Sequence, residues 1–224
     1  MKPVLICRPQ PGAEATAKRA CSLGLRPLIY ALSKIQPLEW VAPDPGLFDA
    51  VMITSANAVR HGGDVLSHYH SLPLFAVGQA TAQAAAEAGF SDIYVGNEGA
   101  QALIHHIHST NYKNILHLCG AAVSPYAFSQ LRVEQVAVYH AMDTGNAQGL
   151  ADLLVDRPVI LVHSPRMGDR LAGLIAEPHR SSLCIAAIST AALDACGAGW
   201  REGRSVELPK DELVLALARQ MCQL

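Results

Sequence analysis

Short apolar runs alternate with longer alanine-rich amphipathic stretches along the whole chain. Residues 3–7, 49–53, 74–77, 92–95, 114–118, 158–162 and 183–188 are strand-length and almost continuously apolar, the pattern of strands buried on both faces. Between most of them lies one helix-sized segment. Strand, loop and helix in alternation predict an α/β fold with parallel sheets.

The alternation repeats. Residues 49–60 form a strand that ends in Thr54 and Ser55 at a helix start, and residues 159–168 have the same design with His163 and Ser164. Ala76-Val77-Gly78-Gln79-Ala80-Thr81-Ala82 is answered by Ala187-Ile188-Ser189-Thr190-Ala191-Ala192. Asn97-Glu98-Gly99-Ala100 opens a helix, as does Pro209-Lys210-Asp211-Glu212. The first copy continues through residues 113–120 to an apolar strand, 136–141, carrying Tyr139. The second copy stops at Leu224, and its missing piece is at the other end of the chain: residues 2–9, a helix, and a strand over 27–32 carrying Tyr30. This duplication predicts two similar parallel-sheet domains of Rossmann or flavodoxin-like type. One is discontinuous, residues 1–34 plus 143–224, and the other, residues 35–142, is inserted in it. Linker strands near 28–37 and 134–142 would pair into a two-stranded connection.

Composition narrows the function. Of 224 residues, 50% are hydrophobic, enough for a buried core, so a disordered chain is excluded. The six cysteines are dilute and form no CxxC pair, which points to free thiols in a reducing compartment. Seventeen Lys and Arg against 19 Asp and Glu leave a net charge of -2 with no basic run, which argues against nucleic acid as a partner. Residues 1–9 are too short an apolar run for an export signal, and no stretch reaches the roughly 18 apolar residues of a membrane span. The expected location is the cytoplasm.

In open parallel sheets, ligands bind at the carboxyl ends of the strands. Those ends carry Ser55, Gly78, Thr81 and Gly120 in one domain and Ser164, Ser189 and Thr190 in the other, with Pro165 suited to a first helical turn. Each is either a plain structural cap or part of an anion site built from first-turn amides. Arg8 and Arg166 lie at the same ends and are candidate anion contacts, with Arg60 a surface residue. His105-His106-Ile107-His108 has no cysteine or carboxylate at ligand spacing and reads as a helix face rather than a metal site. HExxH, GxxxxGK[ST], GxSxG and GxGxxG are absent. Catalysis by binding and orientation fits better than covalent or metal chemistry.

Thr54-Ser55-Ala56-Asn57-Ala58-Val59-Arg60, Ala76-Val77-Gly78-Gln79-Ala80-Thr81-Ala82, Leu116-His117-Leu118-Cys119-Gly120, Val138-Tyr139-His140-Ala141 and Ala186-Ala187-Ile188-Ser189 resemble the ordered motifs of the uroporphyrinogen-III synthase family. The resemblance spans nearly the whole chain. It implies two α/β domains on a two-stranded linker with a cleft between them. It implies a cyclising hydro-lyase of haem and sirohaem biosynthesis that needs no cofactor and no metal; separately, no exposed apolar helix stands out in the sequence, which favours a monomer. Hydroxymethylbilane would be the polyanionic substrate, with hydroxymethylbilane synthase a candidate supplier, and uroporphyrinogen III the product. It further implies that Tyr139 is catalytic and that Thr81 binds a substrate carboxylate, with Ser189 or Thr190 in the matching role. The basic residue often found after Gly120 is replaced by Ala121-Ala122-Val123-Ser124-Pro125. The other reading is a non-catalytic two-domain ligand-binding or interaction module of the same fold.

Overall fold

The protein is described by a computed structural model covering residues 2–96, 98–122, 126–128 and 130–223. Asn97 and the Val123-Ser124-Pro125 part of the loop after Gly120 lie outside the described residues. The chain divides into two compact units, Met1–Lys34 with Met142–Leu224, and Ile35–Ala141.

The first unit contains β1 (Val4–Ile6), α1 (Gly12–Ser22) and β2 (Pro27–Ile29), then resumes with α5 (Ala147–Leu154), β9 (Val159–Val162), α6 (Pro165–Leu174), α7 (Glu177–Arg180), β10 (Cys184–Ala187), α8 (Thr190–Asp194), β11 (Glu202–Ser205) and α9 (Asp211–Cys222). Its sheet has the order β11-β10-β9-β1-β2, every neighbouring pair parallel. Alternation along each strand fills both faces. Val4, Ile6, Val159, Leu161 and Ala186 point to α1 and α9, while Leu5, Ile160, Val162, Ile185 and Ala187 point to α6 and α8. Covered on both faces, such strands favour apolar side chains throughout, which is why they read as continuous apolar runs.

The second unit contains β4 (Ala50–Ile53), α2 (Ala56–His61), β5 (Leu74–Val77), α3 (Gln79–Glu87), β6 (Ile93–Gly96), α4 (Ala100–His108) and β7 (Asn114–Gly120). Strands β3 (Ser33–Pro37) and β8 (Arg132–Asp143) complete the sheet, ordered β3-β8-β7-β4-β5-β6, with β8 through β6 parallel. Val51, Ile53, Leu74, Ala76, Leu116 and Leu118 face α2 and α3, and Ala50, Met52, Phe75 and Ile115 face α4. Ala82, Ala84 and Ala85 are buried under α3, so small side chains let that helix lie close on the sheet. Among the described residues no helix is long and apolar enough to cross a membrane.

The strand edges differ from the sequence reading in two places. β11 is Glu-Gly-Arg-Ser, an edge strand paired only with β10, so solvent on one side removes the apolar signal. The apolar run over 27–32 does not stay in one strand. β2 ends at Ile29, and the Tyr30 hydroxyl instead accepts from the Asn146 amide at 3.0 Å and lies against Gly149.

One polar node sits in the first unit. The Asp211 carboxylate, 10% exposed, accepts hydrogen bonds from Arg19 Nε (2.8 Å), the Thr16 hydroxyl (2.9 Å), Arg8 Nη1 (3.4 Å) and His163 Nε2 (2.8 Å). Burial works against its charge, but these bonds outweigh burial and hold its pKa below the usual carboxylate range. The His163 imidazole is lowered by burial, only partly opposed by Asp211, so neutral imidazole donates to carboxylate. The node ties the first turn of α9 to α1 and to the ends of β1 and β9. Asp211→Asn is expected to cost about 3 kcal/mol at neutral pH, measured by urea unfolding. The folded pKa is depressed, so the stabilisation is complete above the ordinary carboxylate range. The gap between wild type and variant should therefore narrow as the pH falls below about 4.

Candidate functional site

The register of the second sheet sets which strand ends meet. Ile53 pairs with Ala76 on one side and Leu118 on the other. Continuing along the parallel strands places Ser55 level with Gly78 and with Gly120. Ser55 is the extended N-cap of α2, and its Oγ accepts from the Asn57 amide at 3.2 Å. Gly78 caps α3 at φ 76°, a left-handed conformation that favours glycine, and its amide donates to the Gly96 carbonyl at 2.8 Å. The first-turn amides of Gln79 and Ala80 have no intrahelical acceptor. Thr81, one turn in, is buried, and its hydroxyl makes no hydrogen bond among the described residues.

Tyr139 reaches this edge through a strand irregularity. Cys119 pairs with Ala137, but Gly120 pairs with Tyr139, so β8 slips by one residue at Val138. Strict alternation would send Val138 and Tyr139 to opposite faces. The slip lets both pack on the α2–α3 face, with the Tyr139 ring 6.3 Å from that of His61. The ring lies directly over Gly120: a Cβ there would stand 2.8 Å from Tyr139 Cζ and 3.0 Å from its hydroxyl oxygen. Gly120 therefore gives the phenol its place.

The first sheet repeats the arrangement. Val162 pairs with Ala187, which sets Ser164 level with Ser189. Ser164 Oγ accepts from the Met167 amide (3.3 Å) and Ser189 Oγ from the Ala192 amide (3.2 Å), with Pro165 in the first turn of α6. Thr190 Oγ1 lies 3.4 Å from Ser205 Oγ. Arg8 is turned to Asp211 and Thr16, and Arg166 is bonded to Asp143 at 2.8 Å. An anionic ligand would have to compete with those carboxylates for either guanidinium. Arg60 is exposed on the last turn of α2. Cys7 and Cys119 are packed thiols: burial raises both, Cys7 to about 12.

His117 was not singled out by its sequence context. It lies in β7 with no exposed surface, Nε2 3.3 Å from Thr54 Oγ1 and Nδ1 3.2 Å from Gln135 Nε2. Burial lowers its pKa to about 4. A histidine inside an otherwise apolar strand was the available signal, because a buried polar group in such a place needs partners.

The chain matches the family model described as Uroporphyrinogen-III synthase HemD over residues 14–204. It belongs to the uroporphyrinogen-III synthase family. No curated protein matches it. Among solved structures, the uroporphyrinogen-III synthetase of Helicobacter pylori 26695 superposes with a TM-score of 0.66 at 16% identity, covering 99% of this chain and 100% of that one. A mutant uroporphyrinogen III synthase of the extremely thermophilic bacterium Thermus thermophilus gives 0.57 at 16% identity, covering 100% and 99%. At that identity the likeness shows the shared fold. Family membership makes the chain an enzyme of tetrapyrrole biosynthesis acting on a small molecule.

Two outcomes follow from the second unit. Gly120→Ala should displace the Tyr139 ring and cost about 1–2 kcal/mol in urea unfolding. His117 stays neutral when folded, whereas the unfolded chain takes up its proton near pH 6.5. Stability should therefore be full above pH 6.5 and fall by about 3 kcal/mol towards pH 4. His117→Gln should lose that share of the acid slope, seen by comparing urea midpoints of the two proteins across the range.

Proposed function

We propose that the chain is a cyclising hydro-lyase that converts hydroxymethylbilane to uroporphyrinogen III, releasing water and inverting ring D. The observation that carries this reading is the convergence at one sheet edge of Ser55, Gly78, Thr81 and Gly120, with the Tyr139 phenol over Gly120. Among the described residues the edge offers amides, hydroxyls and a phenol but no nucleophile–base pair, which suits a reaction whose substrate supplies its own driving force.

In this reading first-turn amides take up substrate carboxylates, with Ser55 and Thr81 the candidate ligands of the second unit and Arg8, Ser164, Arg166, Ser189 and Thr190 those of the first. The Tyr139 phenol gives its proton to the leaving hydroxyl, which departs as water as the pyrrole nitrogen's electrons flow towards the carbon left behind. The substituted carbon of ring D then attacks that carbon to form the spiro intermediate; its older bond to the neighbouring bridge breaks, the bridge re-forms at the free α-carbon of ring D, and the proton lost there returns to the Tyr139 phenolate. The protein's contribution is to hold the linear chain so that this carbon, not the free end, is the one in reach. Donors that fit the bent chain better than the extended one raise the rate of this closure, whereas equal binding of both would not.

Mixing the protein with hydroxymethylbilane, oxidising the products and separating the porphyrin isomers tests the reading. Type III isomer is expected; type I alone, the product of spontaneous closure, would leave a binding or scaffold role. Tyr139→Phe should lower turnover at least about tenfold with an unchanged unfolding midpoint, and near-normal turnover would remove Tyr139 from the chemistry.

A further inference from the structure

His117 is the one fully buried histidine among the described residues whose two ring nitrogens both have side-chain partners. The arrangement runs across three strands. Met52, His117 and Gln135 are in register on β4, β7 and β8, and Thr54 follows two residues after Met52 on the same face. The imidazole is packed beside Tyr126 and Phe128, ring centroids 6.0 and 6.3 Å away, on the face opposite Tyr139. Nothing in the proposed chemistry uses it.

The placement of the Gln135 amide gives the row its direction. With its nitrogen turned to His117, Gln135 donates and Nδ1 accepts, whereas the flipped amide would accept from Nδ1–H and reverse the row. A neutral imidazole carries one proton, which is then on Nε2. Nε2–H donates to Thr54 Oγ1, and the hydroxyl hydrogen of Thr54 is left for another acceptor. Among the described residues the Thr54 hydroxyl makes no second hydrogen bond. Thr54 is half-buried at the carboxyl end of β4, next to the Ser55 cap and level with the end of β5. A donor that itself receives a hydrogen bond is polarised by it.

We infer that His117 is a positioning residue: held as the Nε2–H tautomer by Gln135, it turns the Thr54 hydroxyl into a directed donor for a carboxylate of the substrate. This rests on the reading of the strand-end loops as the substrate site. The tautomer decides the sign of the contact. With the proton on Nδ1, Thr54 would donate inward to the imidazole and present lone pairs outward, towards an acceptor-only carboxylate. The row thus selects an anionic group at this point without placing a charge there.

The test has a spectroscopic arm and a kinetic arm. In ¹⁵N-histidine spectra of the folded protein near neutral pH, His117 should show a protonated Nε2 and an unprotonated Nδ1. The opposite tautomer overturns the inference whatever the activity. Thr54→Val should raise KM for hydroxymethylbilane about tenfold with kcat changed much less, the loss of one hydrogen bond to a charged acceptor. Thr54→Ser, which keeps the hydroxyl, should raise it less. His117→Gln, whose amide nitrogen takes the Nε2 place, should likewise raise KM less than His117→Leu. An unchanged KM in Thr54→Val, with wild type making type III isomer, overturns the inference and leaves the proposed function standing. Type I isomer alone from the wild type overturns the function, and the inference with it.

Discussion

The first sheet of this protein and strands β8 to β6 of the second are parallel and covered by helices on each face, and that burial governs where anything polar can be. Along β1, β4, β9 and β10 every residue is buried, odd positions facing one helix layer and even positions the other. A side chain that must meet a ligand is therefore pushed to the strand ends. There the chain turns into a helix, and the turn has unpaired amides to offer. Ser55, Gly78, Ser164 and Ser189 are all residues of that transition. Their capping role and their candidate binding role are two uses of the same geometry, since a serine whose oxygen accepts from the helix still has its own hydrogen to give.

How much of this could be read from the chain follows from the same constraint. Strands buried on both faces announce themselves, which is why β1, β4, β5, β7, β9 and β10 were legible and gave the α/β class. The edge strand β11, half in solvent, was not. The serine and glycine caps were legible because capping chemistry is local. Tyr139 over Gly120 was not, because it depends on a slip between β7 and β8 that leaves no mark in either strand's periodicity. Arg8 stood at a strand end as the pattern suggested, yet its partner Asp211 lies at the far end of the sequence, and such pairings are invisible to spacing.

Beside the buried threonines Thr16 and Thr81, two histidines interrupt the apolar interior, and they are handled differently. His163 donates to a carboxylate that is also held by two arginines and a threonine, so the first unit has a buried charge with its counter-charges gathered round it. His117 sits in a neutral row with a glutamine and a threonine. The first arrangement consumes donors: Arg8 is engaged inside the node, as Arg166 is by Asp143. The second releases one, since each partner passes its donor along to the next.

That contrast bears on how a chain with net charge -2 could hold a polyanion. Paired arginines contribute little net field, and attraction between exposed charges is screened within about 10 Å at ordinary salt. Amides and hydroxyls act at contact distance, where salt matters less, and they fix direction as well as strength. A surface of neutral donors also lets a flexible, highly charged chain be held in one bent shape without being drawn equally to every point. For the proposed cyclisation, in which the wrong carbon would close the ring unaided, discrimination between shapes matters more than tight binding, and short directed donors supply it better than long-range charge.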